Sequence, residues 1–144
     1  MYSKILVPLD PGLGDEGHQA LKAARALLEP GGQIEVLTVF QPLPPYYGAV
    51  VDAGHFGEQQ KRTQAVLTEK FGAPDVTIRG RTGHITRVIL EAAGEGGHDC
   101  IVIASRQPGW SHVLLGSTAA GVVRHARCSV HVLRAAESES ESVA

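Results

Sequence analysis

The run Gly116-Ser117-Thr118 carries the densest set of groups in this chain that could hold an anion. It follows the apolar stretch IVIA (101–104) and a polar loop opening SRQP, and it leads into a second apolar stretch, AAGVV. A strand, a loop and a helix start in that order seat phosphates in many folds. Glycine lets a ligand approach the backbone, and the helix start offers unpaired N–H groups and a partial positive charge. Ser117 can cap the helix and also touch a phosphate through its hydroxyl. An ordinary capped helix behind a glycine turn would use the same residues, so shape alone leaves both readings open. Asp10 closes the stretch ILVPLD. At a strand end its carboxylate could accept hydrogen bonds from a ribose hydroxyl or an adenine amino group. Asp is equally at home as a turn residue or as the anion at a helix start.

Other chemistries lack their residues. No Walker lysine, no paired carboxylates for Mg²⁺ and no general base beside an attacking water are visible, so any ATPase or self-phosphorylation is expected to be slow. A nucleotidyl-transfer site would need a motif such as His-x-Gly-His near the first helix, and LDPGLGDEGH does not contain it. The 7 histidines include no i, i+4 pair and there is no Cys-x-x-Cys, so no metal site is expected, although His112 and His125 could meet in space. His84 reads as structural. Trp110 reads as packing on apolar surface rather than covering a ligand, and Tyr46 and Tyr47 as oligomer contacts.

The elements that must position these groups follow from periodicity. SKILVPL, QIEVLTVF (33–40), DVTIRG, DCIVIA and SVHVL read as strands, the fourth as a run covered on both faces. Ala20, Leu21, Ala24, Leu27 and Leu28 recur at helical spacing and stop at Gly31-Gly32. A polar helix is expected from Gln59 to Lys70, and another presents Ile85, Val88, Ile89, Ala92 and Ala93 on one face. A serine-capped helix over STAAGVVRHA would bury Ala119, Val122 and Val123. Residues 41–55, rich in Pro and Gly, read as a long loop. Five strands alternating with four helices predict one α/β domain, a doubly wound five-stranded parallel sheet with helices on both faces. Ligands of such sheets bind beyond the carboxyl ends of the strands, where strand order reverses.

Bulk properties agree with a single domain. The chain has 144 residues, 43% of them hydrophobic, and a formal charge of −2 with its 13 Lys and Arg scattered, which argues against a nucleic-acid surface. MYSKILVPLD is too short for a signal-peptide apolar region or a membrane span, so a cytoplasmic protein is expected. Cys100 and Cys128 are expected as reduced core thiols. Residues 1–135 are expected to form the domain, and the Glu/Ser tail at 136–144 to be disordered.

Four stretches together resemble the universal stress proteins, especially the branch of the enterobacterial F and G types: ILVPLD, PLPPYYG, IVIASRQP and LLGSTAAGVVRHARCSVHVLR. The likeness covers residues 3–134. It implies a Rossmann-like fold of the adenine-nucleotide alpha-hydrolase kind, a homodimer joined through the last strand around residues 131–133 (a tetramer being the further option), and ATP, with or without Mg²⁺, in the crevice. It also implies site residues. Pro8, Leu9 and Asp10 would edge the adenosine and Val39 would meet the adenine through its main chain. Ile103, Ala104, Ser105 and Arg106 with Gly116, Ser117 and Thr118 would hold ribose and phosphates, and Ser129 and Val130 would complete the pocket. The ATP-binding members carry glycine, two residues, glycine, nine residues, then glycine and Ser or Thr. Here Gly116-Ser117 keeps the last element, while Ala104 stands in the first glycine's place and Arg106 or Gln107 in the second's, with the loop one residue shorter. The non-binding A-type members lose the first two glycines as well, but also the one before the serine. Two readings follow: a stress-response protein with ATP as a regulatory ligand, or a nucleotide-free dimeric interaction module of the A type.

Overall fold

The computed structural model describes residues 1–10, 15–41, 53–105 and 116–134. In chain order the elements are β1 (Tyr2–Pro8), α1 (Asp15–Leu27), β2 (Leu28–Phe40), α2 (Ala53–Phe71), β3 (Val76–Thr82), α3 (Ile85–Gly96), β4 (Cys100–Ser105), α4 (Ser117–His125) and β5 (Ser129–Arg134). The five strands form one sheet in the order β3-β2-β1-β4-β5. Every pairing is parallel. This is the doubly wound α/β arrangement that the alternation of elements predicts.

The central strands are apolar on both faces because both faces are covered. Ile5, Val7, Ile34, Val36, Cys100 and Val102 pack with Ala20, Leu21 and Ala24 of α1 and with Leu67 and Phe71 of α2. Leu6, Leu37, Ile101 and Ile103 point the other way, against Val88, Ile89, Ala92 and Ala93 of α3 and Ala119 and Val122 of α4. Each fully buried Ile or Leu contributes about 1.5–3 kcal/mol relative to leaving it in water, so the strand alternation fixes which helix covers which face.

Several boundaries differ from the sequence expectation. β2 begins at Leu28 rather than Gln33, because Pro30 cannot continue α1 and the chain turns at once into an irregular first pairing between Tyr2 and Leu28. Gly31 takes φ +82° there, a conformation that favours glycine. α2 starts at Ala53, inside the stretch expected to be loop. Val123 is 45% exposed, since in a helix of 9 residues only Ala119 and Val122 face the sheet. α3 ends as expected on a glycine: Gly97 at φ +66° closes it and turns the chain towards β4.

The amino-terminal edge of the sheet is tied by Asp99. Its carboxylate accepts from the Ser3 and Lys4 backbone N–H groups at 2.9 and 3.0 Å and from the Ser3 hydroxyl at 3.0 Å. Partial burial pushes the Asp99 carboxyl up, and these hydrogen bonds outweigh that push and hold it below the usual range. On the α3 side, the buried His98 ring lies with Nε2 2.7 Å from Glu35 Oε2. That is ion-pair distance without hydrogen-bond alignment. Arg79 holds the other oxygen of Glu35 at 3.0 Å.

Candidate functional site

Strand order reverses between β1 and β4, and a cleft of about 400 Å³ opens beyond their carboxyl ends. This lies within the range of small-molecule sites. Its rim is built by the ends of three strands: Pro8, Leu9 and Asp10 after β1, Leu37, Val39 and Gln41 at β2, and Ile103 and Ala104 at β4. The Leu9 N–H donates to the Leu37 carbonyl at 2.8 Å, which holds the β1 exit beside β2. Ile85 and Ile89 of α3 supply an apolar wall, and Gly116, Ser117, Thr118 and Ala119 close the far side.

The start of α4 is the polar feature of this cleft. Gly116 is the N-cap, in extended conformation at φ −61° and ψ 157°, and among the described residues no side chain caps the helix. Ser117 is therefore the first helical residue and not the cap that the sequence predicts. The Gly116 carbonyl accepts from the Ala120 N–H at 2.9 Å, starting the ladder. The N–H groups of Ser117, Thr118 and Ala119, all cleft-lining residues, precede the first intrahelical donor. No acidic side chain occupies the first turn to neutralise the dipole. Gly116 itself is held from outside: its N–H donates to the buried Ser105 Oγ at 3.2 Å.

Nine of the residues expected at the site thus line one cleft: Pro8, Leu9, Asp10, Val39, Ile103, Ala104, Gly116, Ser117 and Thr118. Ser105 is not among the lining residues; it ends β4 and accepts a hydrogen bond from Gly116. Arg106 and the rest of 106–115, with Trp110 and His112, lie outside the described residues, as do Tyr46, Tyr47 and the tail. Ser129 and Val130 do not belong to the cleft. Ser129 pairs with Cys100 at the amino-terminal end of β4, while the cleft opens beyond Ser105. Five residues of strand separate the two levels, about 16 Å. The strand direction explains the difference: the beginning of a parallel strand lies at the end of the sheet opposite this cleft.

Sequence reasoning missed Leu37, Gln41, Ile85, Ile89 and Ala119 as lining residues. For Ile85 and Ile89 the helical spacing marks the inward face but not its height on the sheet. Gln41 had a signal, being the first polar residue after the apolar run of β2.

Away from the cleft, both cysteines are free. Cys100 packs on the α1/α2 side and Cys128 against the α3/α4 side. Burial, with Cys128 and Asp99 nearby, pushes the Cys100 thiol up to about 11, and burial raises Cys128 as well. Among the described residues no helix is long and apolar enough to cross a membrane.

Comparison with known proteins bears directly on this architecture. The sequence profile described as the universal stress protein family matches residues 1–134. Universal stress protein G of Shigella flexneri is 30% identical over 142 residues, covering 93% of this chain and 100% of the relative. Among solved structures, universal stress protein UspA from Lactobacillus plantarum superposes with a TM-score of 0.64 at 25% identity, covering 92% of this chain and 98% of that one. A universal stress protein solved in complex with cAMP shares the fold, with a TM-score of 0.63 at 18% identity and coverage of 92% and 97%. With the sheet order, the switch-point cleft and this full-length likeness together, the chain belongs to the universal stress protein family.

Proposed function

We infer that this protein binds an adenine nucleotide as a regulatory ligand in the cytoplasm, with ATP, with or without Mg²⁺, as the ligand of choice. The observation that carries the reading is the start of α4. Three helix-start N–H groups, with no side-chain cap among the described residues, belong to a cleft lined otherwise mainly by apolar residues of the strand ends and of α3. Such a helix start favours phosphate, and the apolar rim of Pro8, Val39 and Ile103 suits the faces of a base. Asp10 on the rim is chemically fitted to a ribose hydroxyl or an adenine amino group. A family member in complex with cAMP supports an adenine ligand in this fold.

Gly116 does not need glycine's conformational range, because φ −61° is open to any residue. Its value is close approach, so a phosphate can reach the helix start without meeting a side chain. With no Walker lysine, the nucleotide acts by binding, and hydrolysis or self-phosphorylation is at most slow. β5 is an edge of the sheet with Val130, Val132 and Leu133 only partly buried. We place the homodimer contact there, since an apolar edge strand is a hazard unless paired.

One observation favours the second reading, a nucleotide-free interaction module: among the described lining residues the charged side chain is a carboxylate, Asp10. Calorimetric titration of nucleotide-stripped protein with Mg-ATP separates the two. Saturable binding upholds the first reading, and no heat at millimolar ATP replaces it with the second.

A further inference from the structure

A serine at the end of β4 does a task that the capping residue of α4 leaves undone. The usual N-cap is Ser, Thr, Asp or Asn, whose oxygen consumes an N–H of the first turn. Here the cap is Gly116, with no side chain to consume anything, and among the described residues no other side chain takes the role. A glycine cap alone would leave the helix start poorly fixed, because glycine loses the most backbone freedom on ordering. Ser105 supplies the missing restraint. It is 8% exposed, its Oγ accepts from the Gly116 N–H at 3.2 Å, and the two residues are 11 apart in sequence.

Ser105 is itself anchored. It closes β4, and its backbone is in register with Arg134 of β5. Ile103, two residues earlier on the same side of the strand, packs in the α3/α4 core. The hydroxyl thus projects from a rigid strand end onto the residue just before the helix. It ties the backbone one position upstream of the open amides and leaves those of Ser117, Thr118 and Ala119 to the cleft.

We propose that Ser105 is the positioning residue of the anion cradle: by holding Gly116 through its N–H, it fixes the start of α4 against β4 while keeping the first-turn donors open for a ligand phosphate. This rests on the nucleotide reading for the ligand, but the tether itself does not. Pre-organised donors bind an anion better because ordering them costs nothing at the moment of binding. Ser105 need not touch the phosphate to matter. Its hydroxyl still has its own proton to donate, so a direct contact would add to the positioning role.

The test has two arms. The first is amide hydrogen exchange at Gly116 in ¹⁵N-labelled protein without ligand. Protection is expected in the unmutated protein, a fall of at least about tenfold in Ser105→Ala, and recovery in Ser105→Thr, which keeps the hydroxyl. Free exchange of the Gly116 amide in the unmutated protein overturns the proposal, whatever any variant does. The second arm is calorimetry with Mg-ATP. Ser105→Ala is expected to weaken binding about fivefold to tenfold, with Ser105→Thr close to the unmutated value. Unchanged affinity in Ser105→Ala with the Gly116 protection lost also overturns it, because the tether would then be merely structural. Failure of the unmutated protein to bind Mg-ATP refutes the nucleotide reading instead, and the exchange arm still decides the tether.

Discussion

Replacing Gly116 with Asp sets the two uses of the α4 start against each other. The N-cap conformation, φ −61° and ψ 157°, accepts Asp without strain. An Asp there would take the N–H groups of the second and third helical residues, Thr118 and Ala119. Relative to glycine the cap bond is worth a few tenths of a kcal/mol, about 0.3. A carboxylate at the helix start adds about 0.3–1 kcal/mol, with no acidic residue in the first turn to compete. The fold should therefore gain about 0.6–1.3 kcal/mol, seen as a rise in Tm of about 1–5 °C. The same side chain occupies the cradle. Losing two charge-assisted hydrogen bonds of about 1.5 kcal/mol or more each costs at least ~3 kcal/mol, a drop in nucleotide affinity of more than about 100-fold. Differential scanning calorimetry reads the first number and titration with Mg-ATP the second, with Gly116→Ala as a control for the added methyl. A variant that is stabilised yet binds nucleotide as tightly as before refutes the placement of phosphate at this helix start. A destabilised variant refutes the capping geometry.

Thr38 is 2% exposed and its hydroxyl has no hydrogen-bond partner among the described residues, so Thr38→Val should raise stability by about 1 kcal/mol, and a lower Tm would mean the hydroxyl is satisfied after all. Because Cys100 and Cys128 face opposite sides of the sheet, oxidation should give no bond between them, and a thiol reagent should modify Cys128 well before Cys100 in native protein, as mass mapping would read. The folded carboxyl of Asp99 titrates below its unfolded value, so its stabilisation is present above the ordinary Asp range and is lost as pH falls through the lower folded value. Asp99→Asn should flatten that acid limb in denaturant titrations, and an unchanged limb refutes the role of the Ser3 and Lys4 bonds. Val132→Pro distorts the β5 edge and should leave a monomer in sedimentation, whereas the same dimer as before would exclude this strand as the interface.

Much of the fold was legible because its signals are local and periodic. The continuous run CIVIAS reads as a strand covered on both faces, and the spacing of Val88, Ile89, Ala92 and Ala93 as a helix face on a core. The candidate cleft was legible where strand ends meet turn residues, as at Pro8 to Asp10 and Gly116 to Thr118. What was not legible depended on three-dimensional placement. Ser129 and Val130 lie away from the cleft because a parallel strand begins at the opposite end of the sheet. Serine's preference for the N-cap points to Ser117, but the extended backbone of Gly116 moves the cap one residue earlier. The tether from Ser105 to Gly116 spans 11 residues, and nothing in local periodicity announces it. Nor did composition single out His98, whose burial against Glu35 arises only when the turn after α3 folds under β2.

The most direct test of the central claim is a ¹⁵N-resolved titration of the unmutated, nucleotide-stripped protein with Mg-ATP. The account predicts saturable shifts of the Ser117, Thr118 and Ala119 amides together with those of Leu9 and Val39 across the cleft. Unmoved α4 amides, or shifts confined to the Ser129 end of the sheet, would contradict it.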